Sequence, residues 1–246
     1  MILKFGLKKY YQMQNNSIDT ALILAAGFGK RMLPLTSNTP KPLIKVKNKP
    51  LIKYCIDSLE KTGIKNILIN VHYESKQIVD YINQLDKKIL ISDETKKLLD
   101  TGGGIKKAFS LIKDENILVM NSDVLWNSHS VKSIQSLLEQ FNSNKMDSLL
   151  LTTKIENTSG YSGVGDFIKN KDNQLQRFSK NTNIKPLVYC GIQIVNRRQF
   201  DSYRDTVFST NKIWDQNIKQ NKLYTFVTNK KFNHVGTKES VIRLNK

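Results

Sequence analysis

Leu22-Ile-Leu-Ala-Ala-Gly27-Phe-Gly29-Lys30-Arg31-Met32 is the stretch on which the reading of this chain turns. The apolar run from Thr20 to Ala26 predicts a β-strand, and it passes directly into two glycines and two cations. In open α/β sheets, ligands bind beyond the carboxyl ends of the strands, where glycines let backbone N–H groups approach phosphate oxygens. The loop fits neither common phosphate pattern. A dinucleotide fingerprint needs Gly or Ala where Met32 stands and an acidic residue about 20 positions on, and no acidic residue occurs before Asp57. A P-loop needs Ser or Thr after Gly-Lys, and Gly29-Lys30 is followed by Arg31.

The neighbourhood of this loop is unusual in charge. Between Asp19 and Asp57 there is no carboxylate, while Lys30, Arg31, Lys41, Lys45, Lys47, Lys49 and Lys53 supply cations. Pro34, Pro40, Pro42 and Pro50 stiffen the same segment, and two of them bracket Lys41. A small polyphosphate arriving at the loop is expected to meet a positive field with no competing carboxylate. The whole chain of 246 residues carries a formal charge of +18, but 33 of its cations are Lys and only six are Arg. Nucleic-acid readers favour Arg and interleave exposed aromatics with their basic stripe. Here Phe167, Phe178, Tyr189 and Trp214 fall at core spacings, which argues against a nucleic-acid-binding module.

Beyond the first strand, apolar runs alternate with helical patterns, as in a mostly parallel sheet covered by helices. Strands are predicted at Thr20–Ala26, Asn66–Val71, Lys88–Ser92, Asn116–Met120 and Ser148–Thr153, and helices at Leu51–Lys61, Ser75–Leu85, Gly103–Ile112 and Ser130–Phe141. After residue 154 the pattern changes. Gly163–Lys169 and Gln174–Phe178 predict a hairpin, followed by a strand at Pro186–Val195, a helix at Ile213–Gln220, a strand at Leu223–Thr228 and a closing helix at Lys238–Leu244. Residues 1–17 read as a basic N-terminal extension, and 18–246 as one α/β domain whose portion from about 154 to 235 faces a second substrate.

Two further elements lie on the same expected edge. Thr101-Gly-Gly-Gly104 precedes a helical pattern, which places bare backbone at a helix N-terminus, where anions are favoured. In Ile117-Leu-Val-Met-Asn121-Ser-Asp123 an apolar strand ends in a carboxylate, suited to holding Mg²⁺ against phosphates.

Together these motifs resemble the sugar-1-phosphate nucleotidyltransferase family over about residues 20 to 240. Leu24-Ala-Ala-Gly-Phe-Gly-Lys-Arg-Met-Leu-Pro-Leu-Thr36 with Thr39-Pro-Lys-Pro-Leu43 is similar to that family's activating signature. Asp100-Thr-Gly-Gly-Gly-Ile105, Asn121-Ser-Asp-Val-Leu-Trp126 and Gly165-Asp-Phe167 most resemble the N-acetylmuramate-1-phosphate uridylyltransferases, with mannose-1-phosphate guanylyltransferases next. The resemblance implies a Rossmann-like nucleotidyltransferase fold of type A with a small β-rich sugar-binding extension. It implies that Leu24, Ala25, Ala26, Gly27 and Gly29 contact the nucleotide, that Lys30 and Arg31 meet the triphosphate, and that Lys41 meets the reacting phosphates. Gly102 and Gly103 would sit near the base, Asn121 and Asp166 would bind the sugar, and Asp123 would bind Mg²⁺. The implied partners are an NTP, with UTP favoured, and a sugar-1-phosphate.

One departure stands out. The family usually carries a second metal carboxylate just before a Val-Gly-Thr turn, and this chain reads Phe232-Asn-His234-Val-Gly-Thr237. Imidazole suits Mn²⁺ better than Mg²⁺. His234 is open to four readings: a ligand with shifted metal preference, a donor to phosphate, a bystander to a metal held by Asp123 alone, or a packed turn residue. An inactive nucleotide-sensing relative is the corresponding alternative function.

Cys55 and Cys190 belong to no metal-ligand spacing and no disulfide framework, which fits a reducing cytoplasm. No apolar run approaches the ~20 residues that span a bilayer, and the Lys-interrupted start is no secretory leader. No membrane partner is expected.

Overall fold

The computed structural model describes residues 18–125, 128–180 and 184–246; the predicted N-terminal extension and Trp126 lie outside the described residues. The first strand, β1 (Thr20–Leu24), leads through 3₁₀ turns at Lys30–Met32 and Lys41–Leu43 into a short hairpin, β2 (Lys45–Val46) and β3 (Lys49–Pro50). Helices and strands then alternate: α1 (Leu51–Lys61), β4 (Asn66–Val71), α2 (Ser75–Asn83), β5 (Ile89–Asp93), α3 (Asp100–Ser110), β6 (Asn116–Asn121), β7 (Val124–Leu125), α4 (Ser128–Gln140) and β8 (Ser148–Lys154). The rest is richer in strands. It runs β9 (Thr158–Ser159), β10 (Phe167–Lys169), β11 (Leu175–Arg177), β12 (Leu187–Asn196), α5 (Arg198–Asp201), α6 (Thr210–Lys219), β13 (Leu223–Thr228), β14 (Phe232–His234) and α7 (Lys238–Asn245).

Burial on both faces explains why β1 reads as an unbroken apolar run. Ala21 and Ile23 face Ile52, Ile56 and Leu59 of α1 and Ile134 and Leu137 of α4. Leu22, between them, packs on the other face with Ile105 and Phe109 of α3 and Ile213 of α6. Each fully buried side chain of this size is worth about 1.5–3 kcal/mol relative to exposure. β1 is thereby fixed at the centre of the sheet, with β4 and β6 parallel to it on either side and β5 parallel beyond β4. The α/β sheet flanked by helices is the fold the alternation implied.

Past β6 the sheet changes direction. β12 runs antiparallel to β6 and to β8, β13 is parallel to β8, and β10 and β11 form the expected antiparallel hairpin against the start of β12. β12 bends at Gly191, where φ is +74° and the register with β8 shifts. A Cβ there would lie 2.8 Å from Val124 Cγ2 and 3.3 Å from Asn121 Cβ, so glycine lets β12 pass close to the end of β6. A separate small sheet, β7-β14-β9, hangs below that end and brings Phe232–His234 beside Val124.

Candidate active site

Directly after β1 the chain opens into a cleft of about 360 Å³ lined by Leu24, Ala25, Ala26, Gly27, Gly29, Lys30, Arg31 and Lys41, with Asn121 and Asp123 across it. Among the described residues, no oxygen accepts from the backbone N–H groups of Ala26 to Lys30, and Gly27 is exposed. Gly29 is left-handed at φ +66°, and its carbonyl accepts from Met32 N at 2.8 Å and Thr36 Oγ1 at 3.0 Å, which closes the loop on itself. The loop is braced from outside. Phe28 packs edge-on to His72 at 5.4 Å, and the Tyr73 hydroxyl donates to the carbonyls of Thr36 and Ser37.

Beneath the cleft runs a buried polar relay that sequence reasoning missed. Asn70 at the end of β4 accepts from Ala25 N at 2.7 Å and donates to Glu94 Oε1 at 2.8 Å. Glu94, 1% exposed, also accepts from Leu99 N at 3.1 Å. Every polar atom named here is paired, as buried groups must be to avoid a desolvation cost of about 1–3 kcal/mol each. The available signal was Asn70 itself, an amide set between apolar residues near the end of the strand next to β1.

Lys41, held between Pro40 and Pro42, donates to Asp123 Oδ2 at 2.8 Å. His234 Nε2 lies 3.2 Å from the same oxygen, and its Nδ1 lies 3.3 Å from Gly160 O. Val235 N donates to Asp123 O at 2.8 Å, which ties β14 to the strand-end carboxylate. Burial would raise the Asp123 carboxyl, but the Lys41 ammonium and the His234 imidazole outweigh it and hold the group well below the usual carboxylate range. Asp123 Oδ1 is buried with no partner among the described residues. An anionic carboxylate oxygen left bare in this way fits a hard divalent cation, which takes oxygen ligands.

Two expectations need correction. The helix containing the second glycine run begins at Asp100 rather than at Gly103, so Gly102 and Gly103 lie inside its first turn. Both are buried, neither lines the cleft, and both N–H groups donate to Phe208 O, at 2.8 and 3.1 Å. Their bare backbone serves packing: a Cβ on Gly102 would lie 2.4 Å from the Phe208 ring, and one on Gly103 2.2 Å from Thr206 O. Asp100 and Thr101 line the cleft in their place. The positive field is also narrower than the sequence suggested, because Lys30, Arg31 and Lys41 alone of the seven cations line the cleft. Lys49 and Lys53 both clasp Asp57, and carboxylates do compete in the cleft, through Asp123, Glu94 and Asp100.

A second pocket of about 320 Å³ adjoins the first and shares Leu24, Asp100, Thr101 and Asn121 with it. Asp166 forms part of its lining and accepts from Tyr161 Oη at 3.0 Å and Tyr189 N at 2.8 Å. Burial, and then the Asp166 charge, push the Tyr161 hydroxyl up to about 12, so it stays a donor. Arg177 and Gln193 are lining residues the sequence did not single out, and Tyr189 and Trp214, expected at core spacings, line the pocket as well. Arg177 stacks over Phe167 at 4.9 Å and Trp214 at 5.6 Å, while Nε donates to Asp215 and Nη2 to Asn211. Trp214 Nε1 donates to Gln193 Oε1 at 2.8 Å.

A phosphate-sized glycine loop at the carboxyl end of a central parallel strand, facing an ammonium–carboxylate pair and opening into a second polar pocket, defines a nucleotide-dependent group-transfer enzyme of the α/β class. The family model described as Nucleotidyl transferase matches residues 20–246, and the chain belongs to that family. It is 31% identical over 221 residues to the N-acetylmuramate alpha-1-phosphate uridylyltransferase of Caulobacter vibrioides, covering 88% of this chain and 91% of that protein. It is 29% identical to the mannose-1-phosphate guanyltransferase of Pichia angusta, over 83% of this chain and 57% of that protein. In fold it is similar to the crystal structure of HddC from Yersinia pseudotuberculosis complexed with GMP-PN, with a TM-score of 0.72, 22% identity, and coverage of 93% of this chain and 98% of that chain. Among the described residues, no helix is long and apolar enough to cross a membrane.

Proposed function

We propose that the chain transfers a nucleotidyl group from an NTP, with UTP favoured, to a sugar-1-phosphate, with N-acetylmuramate-1-phosphate favoured. The supporting observation is the pair of adjoining pockets: one is lined by Gly27, Gly29, Lys30, Arg31 and Lys41, the other by Asp166 and Arg177, and Asn121 belongs to both. The nucleotide occupies the first and the sugar the second, so the sugar phosphate meets the α-phosphate near Asn121. A sugar-phosphate oxygen forms the new P–O bond as the α–β bridging bond breaks, and the electron pair leaves with pyrophosphate. The nucleophile is already anionic at neutral pH, so no general base is needed. Lys41 gives up Asp123 for the reacting phosphates, and Arg31 neutralises charge on the departing ones. A divalent cation bound at Asp123 would supply Lewis-acid neutralisation of the same phosphate oxygens.

Arg177 favours an acidic sugar. N-acetylmuramate differs from mannose in carrying a lactyl carboxylate, and a guanidinium prealigned by two aromatic rings is suited to receive one. The test is pyrophosphate release from ATP, GTP, CTP, UTP and dTTP against N-acetylmuramate-1-phosphate, mannose-1-phosphate, glucose-1-phosphate and N-acetylglucosamine-1-phosphate. The expected best pair is UTP with N-acetylmuramate-1-phosphate, and Arg177→Ala raises KM for that sugar by about tenfold or more while leaving glucose-1-phosphate unaffected. GTP with mannose-1-phosphate as the best pair would overturn the specificity. Nucleotide binding with no pyrophosphate release across the matrix would instead favour the nucleotide-sensing reading.

A further inference from the structure

Resting on the reading that the first cleft holds an NTP, we propose that Asn70 and Glu94 are positioning residues for it: their relay fixes two stretches of the cleft wall against each other, and it works only with a carboxylate at its far end.

The relay crosses the carboxyl ends of three neighbouring strands and joins backbone to backbone. Ala25, the first residue beyond β1, donates its N–H to Asn70 Oδ1; Asn70 Nδ2, in β4, donates to Glu94 Oε1; and Glu94, the first residue beyond β5, accepts at Oε2 from Leu99 N. Ala25 begins the part of the wall that runs on to Gly29, and Leu99 lies between Leu98 and Asp100, which line the same cleft. The main chain of Glu94 adds a second link. Its carbonyl accepts from Lys97 N at 2.9 Å and from His72 Nδ1 at 2.7 Å, and the His72 ring packs against Phe28 inside the glycine loop. Gly104 leaves room for the relay, since a Cβ there would lie 2.8 Å from Glu94 Oε1 and 2.9 Å from Asn70 Nδ2.

Donors and acceptors follow one order along this path. Both ends are backbone N–H groups, which can only donate, so the two side chains between them must present an acceptor to each end. The Asn70 amide accepts on one side and donates on the other. The group after it must accept on both sides, as a carboxylate does and a second amide does not. Glu94→Gln sets one N–H against another whichever way either amide is turned. Asn70→Asp fails in the opposite sense, by setting two carboxylates together. Combining Asn70→Asp with Glu94→Gln restores the order: the new carboxylate accepts from Ala25 N and from the new amide, whose oxygen accepts from Leu99 N. Asn70 and Glu94 are 3% and 1% exposed, so a mismatch is relieved by moving one stretch of the wall rather than by water.

The experiment measures UTP binding to the full chain by calorimetry, kcat and KM by pyrophosphate release, and thermal melting of each variant. Glu94→Gln and Asn70→Asp should each weaken UTP binding and raise its KM about tenfold, the scale of one unmatched buried polar group, with a smaller change in kcat. The double variant should return to within about threefold of the wild type, because the two sites share one path and their effects do not add. Gly104→Ala presses on the relay without changing its members and should also raise KM for UTP, which decides the matter if the double variant does not fold. Lower melting temperatures with unchanged UTP binding in the single variants, or a folded double variant no better than the worse single one, would overturn the proposal while leaving nucleotidyl transfer standing. A wild type that binds no NTP would overturn the nucleotide reading itself.

Discussion

The two glycine-rich elements, Gly27-Phe-Gly29 and Gly102-Gly-Gly104, look alike in sequence and serve opposite ends. The first turns unpaired backbone toward the cleft, and a Cβ on Gly27 would have nothing within 4 Å. The second buries its backbone: Gly102 and Gly103 donate to Phe208 O, and a Cβ on Gly104 would lie 2.8 Å from Glu94 Oε1 and 2.9 Å from Asn70 Nδ2. Absence of a side chain creates room, and whether a ligand or another part of the chain uses that room is decided by partners distant in sequence.

The contrast can be broken by substitution. The largest effect is expected on the cleft side. Lys41→Ala and Asp123→Ala should each lower kcat about a hundredfold or more, measured as pyrophosphate release on protein that melts as a folded chain. Near-native turnover in either would remove that residue from the chemistry. Next comes the packing side: Gly103→Ala, driven against Thr206 O, should cost about 1–3 kcal/mol in urea unfolding, the scale of overpacking. An unchanged midpoint would mean that the 206–208 segment yields freely and that the glycine run is not a packing device. Gly29→Ala combines both costs. A left-handed backbone costs an L-residue about 1–2 kcal/mol, and its methyl would press Lys41 Cβ and Thr36 Cγ2, each 3.0 Å away, so stability and turnover should fall together. The smallest effect on stability belongs to Gly27→Ala, within about 0.5 kcal/mol, yet KM for the NTP should rise because the methyl stands where the nucleotide enters. If Gly27→Ala unfolds the chain or Gly103→Ala only weakens nucleotide binding, the assignments are reversed.

Much of the architecture was legible because the sheet is covered on both faces. Period and length alone placed β4, α1 and β13 at their observed bounds, and the hairpin of β10 and β11 followed from its polar turn. The first loop was legible because strand, glycine and cation are contiguous in the chain. The second glycine run was not, since its role depends on Phe208, about a hundred residues later, and on a helix that starts at a left-handed Asp100 (φ +60°). Glu94 escaped because nothing local marks a buried carboxylate whose partners are Asn70 and Leu99 N. The approach of His234 to Asp123 depends on strands of two and three residues, too short to show any period. Likewise the seven cations of the acid-free stretch could be counted in sequence, but which of them face the cleft is a property of the turns at Lys30–Met32 and Lys41–Leu43.

The bend at Gly191 makes β12 a gauge. Tyr189 and Gln193 line the second pocket from either side of it, and Asn121, which the bend approaches, belongs to both pockets. The spacing between the two pockets is therefore set along one continuous strand. If the second pocket takes the sugar as proposed, selection for a larger or smaller one has a fixed frame to work against. It can exchange side chains such as Arg177, Tyr189 and Gln193 one at a time, while any side chain at position 191 would press on Val124 and Asn121.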